Sequence, residues 1–330
     1  MKDKRFIQQG DWLLVLLLTW PVSGWAQASG ASPGYKQGEL EQILAPIALH
    51  PDSLLTQILM ASTYPLEIVE ADRFAKANAT LKGDSLTRAL EQKNWDPSVK
   101  SLVNFPQVLS MMSEKLEWTQ KLGDAFLSQQ KDVMATIQKL RAQAQASGNL
   151  KTTGEQVVKT QQEVIIIEPA SPQVVYVPAY NPTVVYGTWA YPSYPPYPVY
   201  PPGYVTTTAA FSFMAGAAVG AAWGYAWGHS DWHGGDVDID VNRNTNINRN
   251  IDRSKYQNQM TGGKGSQGKW QHNPAHRKGV SYRDQNTRQK YGQSRPGVDS
   301  RQDFRGRTPD ASGRSGAARQ DLSGKGSGGR

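Results

Sequence analysis

The sequence predicts a mainly α-helical fold: a small multi-helix domain with a short appended β region, followed by low-complexity extensions. Apolar residues recur every three or four positions over residues 39–147, as they do on one face of a helix. β-Branched runs separated by turn residues follow, up to about residue 177. Only 38% of the 330 residues are hydrophobic, which is too little to fill the whole length with core. We therefore expect one folded domain, over residues 38–190.

Residues 1–28 predict an export signal peptide. They begin with basic side chains, continue with a short apolar run over residues 13–20 and end on the small-x-small triplet Ala26-Gln27-Ala28. The run is too short to span a bilayer, although an uncleaved N-terminal anchor remains the alternative. We expect a mature protein in the periplasm or cell envelope, or secreted.

Prolines mark several predicted helix starts. Proline suits the first turn because its missing N–H would have no partner there, and Pro51, Pro65 and Pro97 fall at such positions. Asp96, directly before Pro97, is predicted to cap the helix that follows.

Gly123-Asp124 predicts the end of one helix and the cap of the next. The last helix of the domain then covers about residues 125–146. Paired carboxylates on an earlier predicted helix, such as Glu67 and Glu70, are interpreted as surface ion-pairing groups. Four further side chains are assigned to the core and not to a cofactor site: Met60, Met111, Met112 and Trp118.

Short strands are predicted after the helices. The runs Val157-Val158, 164–167 and 174–177 favour two or three strands, which would pack on the helices because lone strands are not stable.

Long segments of this region resemble a known family. LAPIALHPDSLLTQILMASTYPLEIVEADRF, NWDPSVKSLVNFPQVL, EWTQKLGDAF and QVVYVPAYNPTVVYG are similar to segments of the exported bacterial proteins called domain of unknown function 3300. The resemblance covers roughly residues 38–190. It implies export, a helical N-terminal domain and a Tyr/Pro-rich continuation, and it brings no activity. The family usually has Tyr before the proline at position 51, where this chain has His50.

A Tyr/Pro-rich arm is predicted over residues 191–208. Its tyrosines recur every third residue, and polyproline II has three residues per turn, so their rings would line one face. Such a face could stack on sugar rings or peptides; the alternatives are packing against the helical domain or a stiff spacer. The candidate binding residues are Tyr191, Tyr194, Tyr197 and Tyr200.

Residues 209–228 contain no charged side chain and are rich in Ala, Gly and aromatic residues. Glycine recurs every fourth residue, which predicts a helix that packs by its glycine face against protein, with a membrane span as the alternative. The predicted packing residues are Gly216, Gly220, Gly224 and Gly228.

An Asp/Asn-rich segment follows at residues 229–253. Two histidines four residues apart, with aspartates nearby, could share a metal ion, although an alternating strand with solvated carboxylates explains the run more simply. The candidate metal ligands are His229, His233 and Asp236.

Residues 254–330 are predicted to be a disordered basic tail, since they are polar, glycine-rich and poor in large apolar residues. The net charge of +8 resides mainly in the C-terminal part of the chain, where an anionic partner would bind. The chain has no cysteine, which excludes disulfides, Cys–zinc sites and thiol catalysis.

No catalytic residue and no cofactor is assigned. The leading hypothesis is a non-enzymatic interaction or assembly module of the cell envelope, whose partner is an envelope protein, a glycan or an anionic polymer. The alternatives are a membrane-inserted, glycine-packed oligomer built from residues 209–228, and a metal-dependent envelope hydrolase. Self-association is compatible with the first two hypotheses, and nucleic acid is not an expected partner of an exported chain.

Overall fold

Helices occupy most of the chain between residues 37 and 146 in the computed structural model. The structure describes residues 34–171, 174–204, 211–218, 228–232, 236–239 and 270–292. The helices of the domain are α1 (Gln37–Leu44), α2 (Asp52–Ser62), α3 (Pro65–Ala77), α4 (Gly83–Glu91), α5 (Pro97–Leu102), α6 (Pro106–Glu114), α7 (Leu116–Ser128) and α8 (Gln130–Ala146).

The helix starts follow the proline pattern. Pro65 and Pro97 occupy the first turns of α3 and α5, whereas Pro51 lies one position earlier relative to its helix, at the N-cap position of α2. Asp96 caps α5 as predicted: its Oδ1 atom accepts a hydrogen bond of 2.9 Å from the backbone N–H of Ser98.

The predicted helix boundary at Gly123-Asp124 is wrong, because α7 continues through both residues and α8 begins at Gln130. The structure gives another reason for a glycine at position 123. A Cβ atom at position 123 would lie 2.3 Å from the carbonyl oxygen of Ser62, at the C-terminal end of α2. The two helices cross there too closely for any side chain.

One buried core holds the helices together. The four side chains assigned to it from the sequence are at most 3% exposed. Trp118 also donates a 2.8 Å hydrogen bond from its indole nitrogen to the carbonyl of Ile43, which satisfies its polar atom inside the core.

Arg141 of α8 is fully buried and ties the core to the loop between α1 and α2. Its guanidinium donates to the carbonyl oxygens of Ala48 and His50 and to that of Ile165, and it pairs with Asp52 at 2.6 Å. Four of its five N–H groups thus have acceptors, which is how a buried charge is tolerated.

The strands form three antiparallel pairs. β1 (Gln156–Gln161) and β2 (Val164–Pro169) make a hairpin, β3 (Val174–Tyr180) pairs with β4 (Phe211–Ala218), and β5 (Gly228–Asp231) pairs with β6 (Asp236–Ile239). The turn residues Gln162 and Glu163 both have positive φ, as a two-residue hairpin turn requires. β2 rests on α8, where the Gln138 amide bonds both the N–H and the carbonyl of Ile165.

A single helix over residues 209–228 is wrong. Gly216 lies in strand β4 and Gly228 begins strand β5, while Gly220 and Gly224 lie outside the described residues. A Cβ atom at Gly216 would lie 2.4 Å from the Val174 side chain, so close approach does explain this glycine, but the neighbour belongs to a strand. Pairing with β3 provides hydrogen-bond partners for the backbone N–H and C=O groups of β4, which in a helix would bond within the segment.

The tyrosine arm is not a continuous polyproline II helix. That conformation has no internal hydrogen bonds, whereas here Tyr194 N–H donates to the Tyr191 carbonyl and Val199 N–H donates to the Tyr197 carbonyl. Residues 191–197 lie against α1 and α7.

Part of the predicted disordered tail is folded. Residues 270–292, here called the C-terminal strap, pack on α2, α3 and α7 and contain a short helix, α9 (Gln285–Lys290), capped by Asp284. His272, Arg277 and Tyr282 are buried. The prediction of disorder failed for these residues because composition averaged over residues 254–330 hides one aromatic and basic stretch. The rest of the predicted tail lies outside the described residues.

Within the described ranges, no helix combines the length and the apolar character needed to cross a bilayer.

Candidate binding cleft

A cleft of about 320 Å³ opens where four segments meet: the start of α1, one face of α7, the tyrosine arm and the C-terminal strap. This volume is near the lower end of the range of about 300–1,000 Å³ found for small-ligand sites. The cleft is therefore the candidate functional site.

Helix α7 supplies its polar wall. Glu117, Gln120, Lys121 and Asp124 recur at three- and four-residue steps, so the helical repeat places them on one face. The opposite face of α7 carries core residues such as Leu122, which fixes the orientation of the polar wall.

Lys121 connects the polar wall to the arm. Its Nζ atom lies 2.8 Å from a Glu117 carboxylate oxygen and donates a 2.9 Å hydrogen bond to the Tyr197 hydroxyl. The Glu117 and Tyr197 contacts raise the pKa of Lys121 well above its ordinary value, and Lys121 in turn lowers the pKa of Glu117. The ammonium group is therefore charged throughout the physiological range.

Backbone contacts to α1 fix the position of Tyr197. Its N–H donates to the carbonyl of Gln42 at 3.4 Å, and the Gln42 side-chain amide donates to the carbonyl of Pro195 at 2.6 Å. The half-buried Tyr197 ring thus forms one side of the cleft.

The strap closes the other side. The Arg283 guanidinium lies 3.7 Å from the ring centroid of Tyr35, a cation–π contact, and Arg283 itself is exposed. Next to it, Asp124 accepts a 2.8 Å bond from Arg277 of the strap. Burial raises the pKa of Asp124, although the Arg277 charge opposes that shift.

The strap is anchored by aromatic stacking and hydrogen bonds at the turn between α2 and α3. The His272 ring stacks on the Tyr64 ring, with 5.1 Å between centroids, and its Nδ1 atom lies 3.2 Å from the Thr63 hydroxyl. Burial lowers the pKa of His272 to about 3, so this imidazole is neutral. The Tyr64 hydroxyl accepts from the N–H of Asn273, and the Thr63 carbonyl accepts from Arg277.

Acidic groups of α3 bind the basic part of the strap. Glu67 lies 2.8 Å from His276 Nδ1, and Glu70 accepts from Lys278 at 2.7 Å. The bond to Glu67 raises the pKa of His276. Glu67 is fully buried and also accepts from the N–H of Asp96, so its interpretation as a surface ion-pairing group is corrected.

The tyrosines predicted to bind a ligand do not share one face. Tyr191 and Tyr194 pack on Gly38 of α1, where a Cβ atom would lie within 3.0 Å of both rings. Tyr200 stacks on Tyr204, with 5.4 Å between centroids. Of the four, only Tyr197 lines the cleft.

The predicted metal ligands are only partly described. The backbone of His229 lies in β5, opposite Asp238, and that of Asp236 lies in β6, opposite Asp231. His233 lies outside the described residues. Across the part of the chain that the structure describes, no three His, Asp or Glu side chains form a group suited to a metal ion.

The strap residues at the cleft were missed from the sequence. The sequence does contain a local signal for them. Three aromatic residues fall within an otherwise polar stretch, namely Trp270, Tyr282 and Tyr291, and Asp284 directly precedes the helix that it caps. Aromatic residues close to His and Arg within a short segment distinguish residues 270–292 from the rest of the polar tail and indicate that they fold.

Comparisons with known proteins give one family and one relative. The chain is 42% identical over 193 residues to the Escherichia coli (strain K12) protein named uncharacterized protein YacH, which covers 49% of this chain and 31% of that protein. The chain thus spans about a third of the relative's length. No solved structure matches. The family described as protein of unknown function (DUF3300) matches residues 36–272, beyond the extent expected from the sequence motifs. The match includes the helices, the arm and the first residues of the strap, and the chain belongs to the DUF3300 family.

Proposed function

We propose that this chain is an exported, non-enzymatic binding module of the cell envelope, and that the cleft between α1, α7, the arm and the strap is its binding site. The observation that supports this proposal most is that four separate segments of the chain together form the cleft. Segments as distant in sequence as Tyr35, Tyr197 and Arg283 converge on one open cavity with several polar side chains in its lining.

Burial and hydrogen bonding hold this site in place. The strap contributes two of the largest fully buried side chains, Arg277 and Tyr282, and the arm is held to α1 through Gln42. A preorganised site binds with less loss of conformational entropy than a flexible one. The membrane-inserted oligomer is not proposed, because its basis was a helix where the structure has strand β4.

A crosslinking experiment tests the binding site. A photoreactive amino acid replaces Gln120, which lines the cleft and is partly exposed, and the mature full-length chain is exposed to envelope extract under illumination. We expect a discrete adduct, identified by its mass as protein or glycan.

The matched control places the same photoreactive group at Ser128, which is exposed on the same helix but does not line the cleft. Equal adduct patterns from both positions, or no adduct from either, would contradict a binding role for the cleft.

Export has its own test. The order of basic, apolar and small residues over residues 1–28 supports cleavage near Ala28. N-terminal sequencing of protein from fractionated cells should therefore begin near Gln27 or Ser29. A cytoplasmic protein that retains Met1 would refute export.

A further inference from the structure

We propose that the cleft binds a neutral saccharide. This inference rests on the proposed function, since it names the ligand class of the same site. It is carried by the hydrogen-bonding capacity of the lining side chains, by their charge balance and by the aromatic rings that border them.

The cleft offers both donors and acceptors. Arg283 is exposed and supplies a planar set of N–H donors, while Glu117 and Glu39 supply carboxylate oxygens that retain acceptor sites. The side chain of Gln120, with one donor group and one acceptor, makes no hydrogen bond to any other described residue. Adjacent hydroxyls on a sugar ring act as donors and acceptors at once, and they match such a mixed lining.

Aromatic rings border the polar groups. Tyr197 is half-buried in the wall, and Tyr35 is buried beneath Arg283, whose guanidinium carbon lies 3.7 Å from the ring centroid. A Tyr ring provides an apolar face and a polar tip, which suits the C–H face and the hydroxyl edge of a sugar. The volume of about 320 Å³ has room for a small saccharide.

Two other ligand classes fit less well. Glu117 is paired with Lys121, and Asp124 with Arg277 of the strap. Glu39 and Arg283 then balance each other, so the lining offers an anionic polymer no net positive charge. A peptide with aliphatic side chains would need a socket of aliphatic residues, but the aliphatic side chain in the lining, Ile43, is only 1% exposed.

The test measures binding of three soluble probes to the mature full-length chain by calorimetry. The neutral probe is a trimer of N-acetylglucosamine, the anionic probe is a trimer of galacturonic acid, and the third probe is a tyrosine- and leucine-containing tripeptide. We expect the neutral saccharide to bind more tightly than either of the other two.

Two variants locate the binding. Gln120→Ala removes an amide from a helix surface where alanine is well tolerated, and Arg283→Ala removes the exposed guanidinium. Each should weaken binding of the neutral trimer roughly tenfold, the usual effect of losing a hydrogen-bonding partner in a site. Gln145→Ala, an equivalent change at an exposed position of α8 outside the cleft, should leave affinity unchanged.

Preferred binding of the anionic trimer or of the peptide would overturn the proposal, as would a neutral saccharide whose affinity neither cleft variant alters. The crosslink from position 120 separates this failure from that of the proposed function. If envelope proteins still crosslink there while no saccharide binds, the site is real and its ligand is not a sugar.

Discussion

At Gly123, the backbone of α7 passes within contact distance of the last turn of α2, and no side chain fits between them. We expect Gly123→Ala to lower the free energy of unfolding by about 1–3 kcal/mol, the usual cost of overpacking. Urea denaturation gives this value. The control is Gly154→Ala, at an exposed bend where an added Cβ atom would meet nothing within 4 Å, so stability should change little.

Asp96 caps α5 from a buried position, where burial raises the pKa of its carboxyl group. Asp96→Ala should cost about 1 kcal/mol of unfolding free energy through loss of the bond to Ser98 N–H. Asp96→Asn should retain most of that stability, because an Asn oxygen also caps and carries no charge to desolvate. Equal losses in both variants, measured by denaturant midpoint, would mean that the capping bond is not what stabilises the fold here.

At the scale of elements, we expect the docking of the strap to depend on pH through His276. Glu67 and Asp96 favour the protonated form of His276, and Lys278 opposes it. The Tyr64 ring packs edge-on against the His276 ring, and the neutral His272 lies nearby. Because the pKa of His276 is raised in the folded state, its stabilising contribution is complete below its ordinary value of 6.5. That contribution is lost as pH rises through the raised value.

Unfolding midpoints measured from pH 6.5 up to roughly pH 9 should therefore decrease for the natural chain. His276→Gln removes the titrating group, so its midpoint should vary less over that window. Burial lowers the pKa values of His50 and His272 to about 3. Their protonation therefore lowers stability as pH falls below 6.5, which is outside the measured window. Parallel curves for both proteins would exclude His276 as the cause.

The helices were predictable because their signals are local. Pro65 and Pro97 fix helix starts within one turn, and the spacing of Leu40, Ile43 and Leu44 marks the buried face. The prediction at Gly123 was wrong, because a glycine that permits close helix packing cannot be distinguished in the sequence from one that ends a helix. The distinction depends on Ser62, which is distant in sequence.

Strand β4 and the cleft could not be predicted from the sequence for a related reason. Gly216 lies in a stretch whose composition suits a helix, but pairing with β3, more than thirty residues earlier, decides its conformation. Tyr197 was identified as a candidate, yet nothing local separates it from Tyr191 or Tyr200. Arg283 was missed, because its role depends on strap contacts with α2 and α3.

For the whole molecule, the strap should contribute measurably to stability. A chain ending at residue 269 loses the buried side chains of Arg277 and Tyr282 and leaves the buried Glu67 without its His276 partner. We expect its thermal midpoint to be clearly lower than that of the full chain.

The matched control for that experiment is a chain ending at residue 292, which keeps every strap contact that the structure describes. It should melt close to the full chain. If the two truncated chains melt at the same temperature, the strap does not stabilise the domain.

The contact between His276 and Glu67 joins residues 209 positions apart, and the bonds from His272 to Thr63 and from Asn273 to Tyr64 span the same distance. The helices of the domain precede the strap along the chain, so they can pack before the strap is available. Contacts of such large sequence separation also form slowly, because the intervening loop must first close. We therefore expect the helical domain to assemble while the carboxylate of Glu67 is still open to water, and the cleft to form only after the helices have packed.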